Sequence, residues 1–480
     1  MPIELSGEQT TARIMVDDEE LVGDNCREQI QELIDHPAFT EPVCVMPDTH
    51  FGAGAPIGFT MPLANRVVPN IVGVDVGCGM GATKLGDELP CSDAERERRV
   101  REAVPMGRSV HDYDDAPHLI DEFPFERANE VFAQFDAAYG KRFGEPIDPV
   151  EFEFDEYDEA YVKSLCDRVL ANKPNGIGYV IKSAGTLGGG NHFVEFAQAR
   201  ESGAHWLVIH SGSRYLGLSV AEYWQSKATE RRTADAIREA FPAEYDPYVK
   251  FDPETVDDDE LFTWITGGMG ESHICKERVR EDFEGEEIEA VFDTLSNLRP
   301  ADRNEGLDWL AGRAAHGYYV DMLFAQQYAR WNRELMATAI CDALDVEPVE
   351  EFQSIHNYID FRDLTIRKGA TPARDGQRLV IPFNMAEGSL LARGKGNEAY
   401  HRTAPHGAGR TMSRTEAHDT LELEECAAAM DGVYSESVVE DVLDEAPMAY
   451  KSADAIAEAI EPTAEIVDWL EPMHNLKALG

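Results

Sequence analysis

Short apolar runs that end in glycine-rich turns recur along the chain, and they restrict the fold more than any other feature. Examples are MPDTHFGAGAPIGFTMPL at 46–63, NIVGVDVGCGM at 70–80, GTLGGGNHFVE at 185–195 and HWLVIHSGSRYLG at 205–217. Runs of this length with glycine at their ends are typical of strands, and glycine permits the tight loops that follow them. The pattern predicts short strands ending in tight loops, mixed with helices.

The stretches between these runs have helical patterns. Residues 92–172 are acidic with helical spacing, and 304–345 predict one or two long buried helices. Residues 219–300 are acidic and polar, and they predict a mostly helical, solvated insertion. The C-terminal segment that ends in HNLKALG is predicted to be helical.

The charge of the chain is extreme. Its 480 residues include 91 Asp and Glu against 43 Lys and Arg, a formal net charge of −48, and 12 of the basic residues are lysine. We interpret this composition as adaptation to a salt-rich cytoplasm, with an ordinary acidic protein as the alternative. Eight cysteines without a CxxC pair, no membrane-length apolar run and no secretory signal favour a reducing, cytoplasmic location.

Residues 362–414 contrast with the rest of the chain. They contain ten Lys and Arg against four Asp and Glu, a net charge of +6, so that the remainder carries −54. Two interpretations stay open at this point: local ion pairing with the acidic surface, and a site for phosphates.

Five residues in the glycine-rich segments form a candidate ligand set: Asp75, Cys78, His192, His210 and His356. One oxygen, one sulfur and three imidazole nitrogens suit Mn²⁺, Zn²⁺, Fe²⁺ or Co²⁺ better than Mg²⁺ or Ca²⁺. Five donors exceed the four of a closed structural zinc site, so one ion or an open two-metal site is predicted. Each residue alone has a more ordinary explanation, as a buried small side chain or a hydrogen-bonded core histidine.

The run HGAGRTMSR at 406–414 is a candidate nucleophile and phosphate site. A neutral His406 could attack phosphorus, and a helix is expected to follow the small-residue turn. Arg410 and Arg414 are four residues apart, which predicts that they share one helical face and cradle a phosphate. The ordinary alternative is a capped helix with a turn histidine.

Other polar residues near these glycine turns suggest ligand contacts. The Glu195 carboxylate, on the same strand face as Asn191, could accept paired N–H donors from a guanine edge. Arg214 follows the strand that ends at His210 and could hold an anion. A glycine turn with a structural histidine would explain the first of these segments equally well.

Taken together, these segments resemble the RtcB family of RNA-splicing ligases. The matching runs are MPDTHFGAGAPIG, GVDVGCGM, GTLGGGNHFVE, HSGSR, HNY, RKGAT and HGAGRTMSR, which occur in the family order from about 46 to 414. The acidic stretch 219–300 and the flank NMAEGSLLARGKGN depart from the family pattern. The resemblance implies an α+β fold: one compact catalytic domain over 1–480, with mixed and antiparallel sheets around a metal cleft and the helical insertion 219–300.

The resemblance also implies roles for individual residues. The Mn²⁺ ligands, with two ions expected, would be Asp75, Cys78, His192, His210 and His356. The guanylylated residue would be His406, with Asn191, Arg214 and Arg410 as further catalytic residues. The GTP pocket would comprise Asn191, His192, Phe193, Val194, Glu195, His356, Asn357, Pro382, Phe383, Asn384, Met385, Ser389, His406, Gly407, Ala408, Gly409, Tyr450 and Lys477. RNA phosphates would be held by Arg214, Lys368, Arg410 and Arg414. Asp48 and His50 lie in a matching motif without an assigned role.

The activity implied is GTP- and Mn²⁺-dependent joining of RNA 3′-phosphate or 2′,3′-cyclic phosphate ends to 5′-hydroxyl ends, in tRNA splicing or RNA repair. A metal-dependent phosphoesterase that opens cyclic phosphates without ligation is the alternative, and an RNA-binding scaffold without catalysis is a third. The expected partners are RNA and an archease activator, with a monomer or weak oligomer and no membrane. Acidity together with the resemblance favours a halophilic archaeal source.

The charge generates a first prediction. Circular dichroism in falling KCl should show loss of structure at low salt, because the Debye length grows from about 3 Å at 1 M to about 30 Å at 0.01 M. Full retention of the spectrum in dilute buffer would contradict the salt-adapted interpretation.

Overall fold

A computed structural model describes residues 2–16, 21–266, 271–296 and 304–479. Its helices are α1 (Asp24–Asp35), α2 (Pro69–Val72), α3 (Asp93–Ala103), α4 (Leu119–Glu122), α5 (Phe125–Phe143), α6 (Glu159–Val169), α7 (Ile177–Ser183), α8 (Arg214–Ala240), α9 (Asp258–Thr266), α10 (Lys276–Asp282), α11 (Glu286–Ser296), α12 (Arg313–Leu344), α13 (Arg414–Thr420), α14 (Leu423–Ala429) and α15 (Ala453–Ala459). Short 3-10 helices cover Ala243–Tyr248, Glu305–Leu307, Glu398–Tyr400, Glu440–Glu445 and Pro447–Ala449.

The strands are β1 (Ile3–Ser6), β2 (Thr11–Ile14), β3 (Val43–His50), β4 (Ile57–Pro62), β5 (Arg66–Val67), β6 (Gly79–Gly86), β7 (Phe193–Ala199), β8 (His205–Ser211), β9 (Leu310–Ala311), β10 (Glu350–Ile355), β11 (Asn357–Ile359), β12 (Thr365–Lys368), β13 (Ala370–Pro372), β14 (Arg378–Pro382), β15 (Ser389–Gly394), β16 (Thr403–Pro405) and β17 (Ala464–Leu476). Helices and strands alternate along the chain, which confirms the predicted mixed α and β class.

Two large sheets organise the strands. One has the order β1-β2-β3-β4-β12-β11, and the other has the order β10-β6-β8-β7-β17-β15-β14. Pairing is antiparallel except between β2 and β3, and β13–β16 and β5–β9 form two small antiparallel pairs. The predicted strand-and-turn segments supply β3 and β4 of the first sheet and β6, β7 and β8 of the second.

The helix α12 lies at the centre of the main apolar core. Residues on most sides of it are buried, as expected for a helix enclosed by other elements. Its buried residues include Tyr318, Phe324 and Tyr328, which are at most 1% exposed. The sequence predicted one or two long buried helices over 304–345, and the structure has one, of 32 residues.

The prediction of a helical C-terminal tail is wrong for its last part. The helices α14 and α15 are present, but residues 464–476 form the 13-residue strand β17, which inserts between β7 and β15. Pairing on both edges satisfies the backbone of β17, and Pro472 cannot lie in a regular helix interior. Tertiary pairing therefore decides the structure of a segment whose apolar pattern is ambiguous.

The acidic segment that follows β8 is helical where the structure describes it. The first part of α8, through Trp224 and Ala228, packs in the main core. From Ala234 onward a separate apolar cluster joins the end of α8 to α9, α10 and α11. No helix among the described residues is long and apolar enough to cross a membrane.

A buried carboxylate connects three helices in the core. Asp321 of α12 is fully buried and accepts hydrogen bonds from Tyr161 of α6, Trp224 of α8 and Arg168 of α6, each at 2.8 Å. Because one acceptor serves three donors from two other helices, these contacts fix how α6 and α8 dock on α12.

We predict that Asp321→Ala lowers the free energy of unfolding by about 3–5 kcal/mol, because it leaves a cation and two donors without their acceptor. Urea denaturation at constant high salt measures the change. Glu102→Ala, which removes an exposed partner of Arg98, is the control and should leave the midpoint nearly unchanged. Equal midpoints for the two variants would contradict this role of Asp321.

Candidate metal and nucleotide site

The five predicted metal ligands converge. The Cys78 Sγ lies 3.2 Å from His210 Nε2 and 3.6 Å from His192 Nε2. His192 Nε2 lies 2.9 Å from Asp75 Oδ2, and His210 Nε2 lies 3.3 Å from His356 Nε2. Two groups of three residues could each hold an ion, and both include Cys78. The first group adds Asp75 and His192, and the second adds His210 and His356.

Strand register brings these residues to one edge of the second sheet. Met80 of β6 and Phe193 of β7 both pair with His210 of β8, while β10 pairs with β6 on its other side. The residues just before β6, before β7 and after β10 therefore end beside His210. Gly212 is required next to Asp75, because a Cβ there would lie 2.0 Å from the carboxylate.

Hydrogen bonds orient two imidazoles of this cluster, and burial favours the neutral form of two of them. The Nδ1–H of His192 donates to Leu187 O at 2.9 Å, and that of His210 donates to Asn191 O at 3.1 Å, which leaves both Nε2 lone pairs facing Cys78. Burial lowers the pKa of His210 and of His356 well below the usual value. Neutral imidazoles with oriented second nitrogens, a thiol and a carboxylate fit a soft to borderline divalent cation.

His406 lies beside this cluster at the end of β16. Its ring centroid is 4.7 Å from that of His356. Asp48, fully buried in β3, accepts the Nδ1–H of His406 at 2.7 Å and the backbone N–H groups of His406 and Gly407. This contact fixes the tautomer of His406 with a lone pair on Nε2, a role for Asp48 that the sequence did not reveal.

A cavity of about 230 Å³ opens on the same histidine. Most of the predicted nucleotide pocket lines it: Asn191, Phe193, Glu195, Pro382, Phe383, Asn384, Met385, His406, Gly407, Ala408, Gly409, Tyr450 and Lys477. Arg410 and Arg414, which were predicted to hold phosphates, line it too. The wall also contains His50, His210, Glu445 and Asn475. One histidine therefore faces both the donor cluster and a mainly apolar cavity.

Glu195 occupies a buried position in the cavity wall. Its Oε2 accepts a hydrogen bond from Asn475 Nδ2 at 2.9 Å, and its Oε1 has no hydrogen-bond partner in the described part of the chain. Burial raises the pKa of Glu195 to about 8, because an ionised carboxylate is poorly solvated in the cavity wall. N–H donors from a ligand would stabilise the ionised form, in which both oxygens accept hydrogen bonds.

Glu445 forms ion pairs with three cationic side chains that line the cavity. It is 4% exposed, and its carboxylate lies 3.4 Å from both Arg410 and Arg414 and 3.2 Å from Lys477 Nζ, while Tyr450 donates to it at 2.6 Å. The prediction that Arg410 and Arg414 share a helical face is wrong. Ser413 caps α13, so Arg410 lies in the preceding loop, and the two arginines meet through Glu445 instead.

Several predicted site residues lie outside the cavity. Val194 packs in an apolar cluster on the opposite face of β7, and Ser389 is fully buried. The Asn357 side chain accepts from Gly369 N at 2.8 Å. Lys368 donates to the carbonyls of Ala53 and Asn70, and burial lowers its pKa to about 8.

Arg214 lies on the metal side, where it donates to Thr186 Oγ1 at 3.2 Å. Its φ of 55° is in the left-handed region, which is unfavourable for a side chain as large as arginine. Such strain is typical of functional positions, and here it accompanies the sharp turn from Ser213 into α8.

Most cations of 362–414 are ion-paired. The pairs are Arg367 and Arg374 with Asp360 and Asp363, Arg378 with Glu350, Lys395 with Glu461, Arg402 with Glu398, and Arg410 and Arg414 with Glu445. Among the described residues that line the cavity, this segment contributes the cations Arg410 and Arg414. Local ion pairing therefore explains much of the positive charge.

Comparison with known proteins gives a consistent result. The family model described as tRNA-splicing ligase RtcB matches residues 29–245 and 296–478. The RNA-splicing ligase RtcB of Escherichia coli strain K12 is 27% identical over 463 residues, which is 92% of this chain and 91% of that protein. The tRNA-splicing ligase RtcB of Aeropyrum pernix is 26% identical, covering 86% of this chain and 83% of that protein.

The match leaves out residues 246–295, most of the acidic segment that departs from the family pattern. The two matched parts contain all five donors, His406 and the cavity wall. The chain therefore belongs to the tRNA-splicing ligase RtcB family.

Proposed function

We propose that this chain is a GTP- and Mn²⁺-dependent RNA ligase that works through a guanylylated His406. Family membership makes it an RNA ligase; the proposal concerns its cofactors, its intermediate and its residues. The observation that carries the proposal is the position of His406 between the donor cluster and the cavity. A phosphoesterase that does not ligate RNA would have no use for a nucleophilic histidine oriented by a carboxylate, as His406 is by Asp48.

The first step is nucleophilic attack on GTP. Because Asp48 accepts the Nδ1–H of His406, the Nε2 lone pair is free to attack the α-phosphorus. The N–P bond forms as the bond to pyrophosphate breaks, which leaves GMP on His406. The carboxylate of Asp48 stabilises the positive charge that develops on the imidazole.

The RNA ends react next. Water opens a 2′,3′-cyclic phosphate to a 3′-phosphate. An oxygen of the 3′-phosphate then attacks the phosphorus on His406, the imidazole leaves, and an RNA carrying a 3′-diphosphate bridge to guanosine results. Finally a 5′-hydroxyl attacks the RNA phosphate, the new phosphodiester forms and GMP leaves.

Asp75, Cys78, His192, His210 and His356 would hold the manganese ions, in the two groups that share Cys78. Bound there, a divalent cation supplies neutralisation of phosphate charge and a lower pKa for coordinated water. The thiol must lose its proton to bind metal, and burial and the nearby Asp75 raise the pKa of Cys78 well above its usual value without metal.

The cavity wall would hold the guanosine, with Glu195 and Lys477 at the base and Tyr450 beside it. Arg214, Lys368, Arg410 and Arg414 would contact phosphates of the RNA or nucleotide. The proposed substrates are cleaved tRNA halves or damaged RNA, and the proposed helper is an archease activator.

The covalent step predicts the behaviour of His406→Ala. With α-labelled GTP and Mn²⁺, the unmodified protein should acquire label that is stable in alkali and labile in acid, as a phosphoramidate is. The variant should acquire none, because it lacks the attacking nitrogen. His418→Ala, which removes an exposed histidine of α13, should label normally. Full labelling of His406→Ala would refute the assignment.

The shared thiol predicts the behaviour of Cys78→Ala. Loss of a ligand common to both groups should weaken Mn²⁺ binding by more than about tenfold and abolish guanylylation, with an unchanged circular dichroism spectrum. Titration calorimetry with MnCl₂ measures the binding. Cys166→Ala, at a buried cysteine of α6 in the main core, is the control and should bind Mn²⁺ normally. Unchanged affinity in Cys78→Ala would exclude this thiol from the site.

A further inference from the structure

We propose that Asn475 determines specificity for the guanine base by accepting a hydrogen bond from its exocyclic 2-amino group. This inference rests on the proposed function, since it requires GTP in the cavity. Asn475 belongs to none of the motifs that carry the family resemblance, and it lies on β17, the strand whose structure the sequence did not predict.

The observation behind it is a pair of buried acceptors without partners. Asn475 is 1% exposed and Glu195 is 2% exposed, and both line the cavity. The amide nitrogen of Asn475 is directed to Glu195 Oε2, which leaves Asn475 Oδ1 as the free end of the amide. Neither Asn475 Oδ1 nor Glu195 Oε1 has a hydrogen-bond partner among the residues that the structure describes.

Such atoms need donors. A buried acceptor left unpaired destabilises the protein, so two of them next to each other in a cavity wall indicate a ligand with two neighbouring N–H groups. Lys477 Nζ lines the same wall and offers a donor. The wall therefore presents two acceptors and one donor.

Guanine has the matching pattern on its Watson–Crick edge. Its N1–H and 2-amino groups are donors, and its O6 is an acceptor. Adenine presents an amino donor where guanine has O6, and its N1 is an acceptor. Hypoxanthine keeps N1–H and O6 but lacks the 2-amino group. In this arrangement Glu195 accepts a hydrogen bond from N1–H, and Lys477 donates one to O6. The remaining acceptor, Asn475 Oδ1, then accepts a hydrogen bond from the 2-amino group.

The sheet fixes the relative position of the two acceptors. Asn475 and Glu195 are directly paired across β17 and β7, so their contact is a cross-strand pair. The residue before Asn475 is anchored on the other face, where His474 Nε2 lies 2.5 Å from Glu97 and Arg96 Nε donates to His474 Nδ1 at 3.1 Å. The acceptor pair is therefore preorganised before any nucleotide binds.

A purely structural role for Asn475 makes a different prediction. If Asn475 acted only by holding Glu195, its loss would weaken the contact with N1–H, which GTP and inosine triphosphate share. If it accepts from the 2-amino group, its loss affects GTP alone. The two nucleotides therefore separate specificity from positioning.

The experiment measures kcat/KM for covalent labelling of His406 with α-labelled GTP and α-labelled inosine triphosphate. We expect the unmodified protein to prefer GTP by about tenfold, the value of one hydrogen bond near 1.4 kcal/mol. Asn475→Ala should lose about tenfold with GTP and less than about threefold with inosine triphosphate, so that the preference disappears. Asn304→Ala, at an exposed asparagine bonded to Glu32, should keep the preference.

Each other result overturns the inference. Equal losses with both nucleotides would reduce Asn475 to a positioning residue, and an unchanged preference would remove it from the pocket. If Asn475→Ala does not fold, equal use of the two nucleotides by the unmodified protein is sufficient to refute the role. Absence of any covalent label would instead contradict the proposed function, and the two failures are therefore distinguishable.

Discussion

The helix α12 holds the site together through two adjacent polar residues. Arg333 Nη1 donates to Gly77 O at 2.9 Å and to Ser211 O at 2.6 Å, which joins the turn before β6 to the end of β8. Asn332 Nδ2 contacts Ser211 Oγ at 3.1 Å and Thr186 O at 3.2 Å. The loops that carry the donor atoms are thus fixed to a helix that is buried along most of its length.

Arg333 also balances the charge of that cluster. It is 1% exposed, and no carboxylate among the described residues forms an ion pair with it. Its positive charge favours a thiolate at Cys78 and disfavours a protonated His356. Both effects favour the protonation states that metal binding requires. An acidic chain of net charge −48 therefore surrounds a centre that contains buried cations, and salt that screens the surface leaves these short contacts largely intact.

Much of the site could be predicted because its residues lie in glycine-rich turns with distinctive chemistry. Asp75, Cys78 and His210 occur where apolar runs end, and the register of β6 and β8 then brings them together. The roles that could not be predicted depend on contacts between segments that are distant in the sequence. Glu445 carries no motif, and its role appears only when the loop at 440–450 folds over Arg410. The role of Asp48 depends on the contact between β3 and the end of β16, where it accepts hydrogen bonds from His406, and no local pattern shows that contact.

The strand β17 shows why Asn475 escaped sequence analysis although it lines the cavity. Its pairing with β7 shifts between Pro472 and His474, which is a β-bulge. Because side chains alternate along a strand, the bulge decides which residues face the cavity. After it, Asn475 and Lys477 line the cavity, whereas His474 and Leu476 pack on the other face against α3 and the neighbouring apolar cluster. A one-residue slip would exchange the two sets and place His474 opposite Glu195. The lining of this end of the cavity therefore depends on a register that the Glu97–His474 contact stabilises, and not on any local pattern in the sequence.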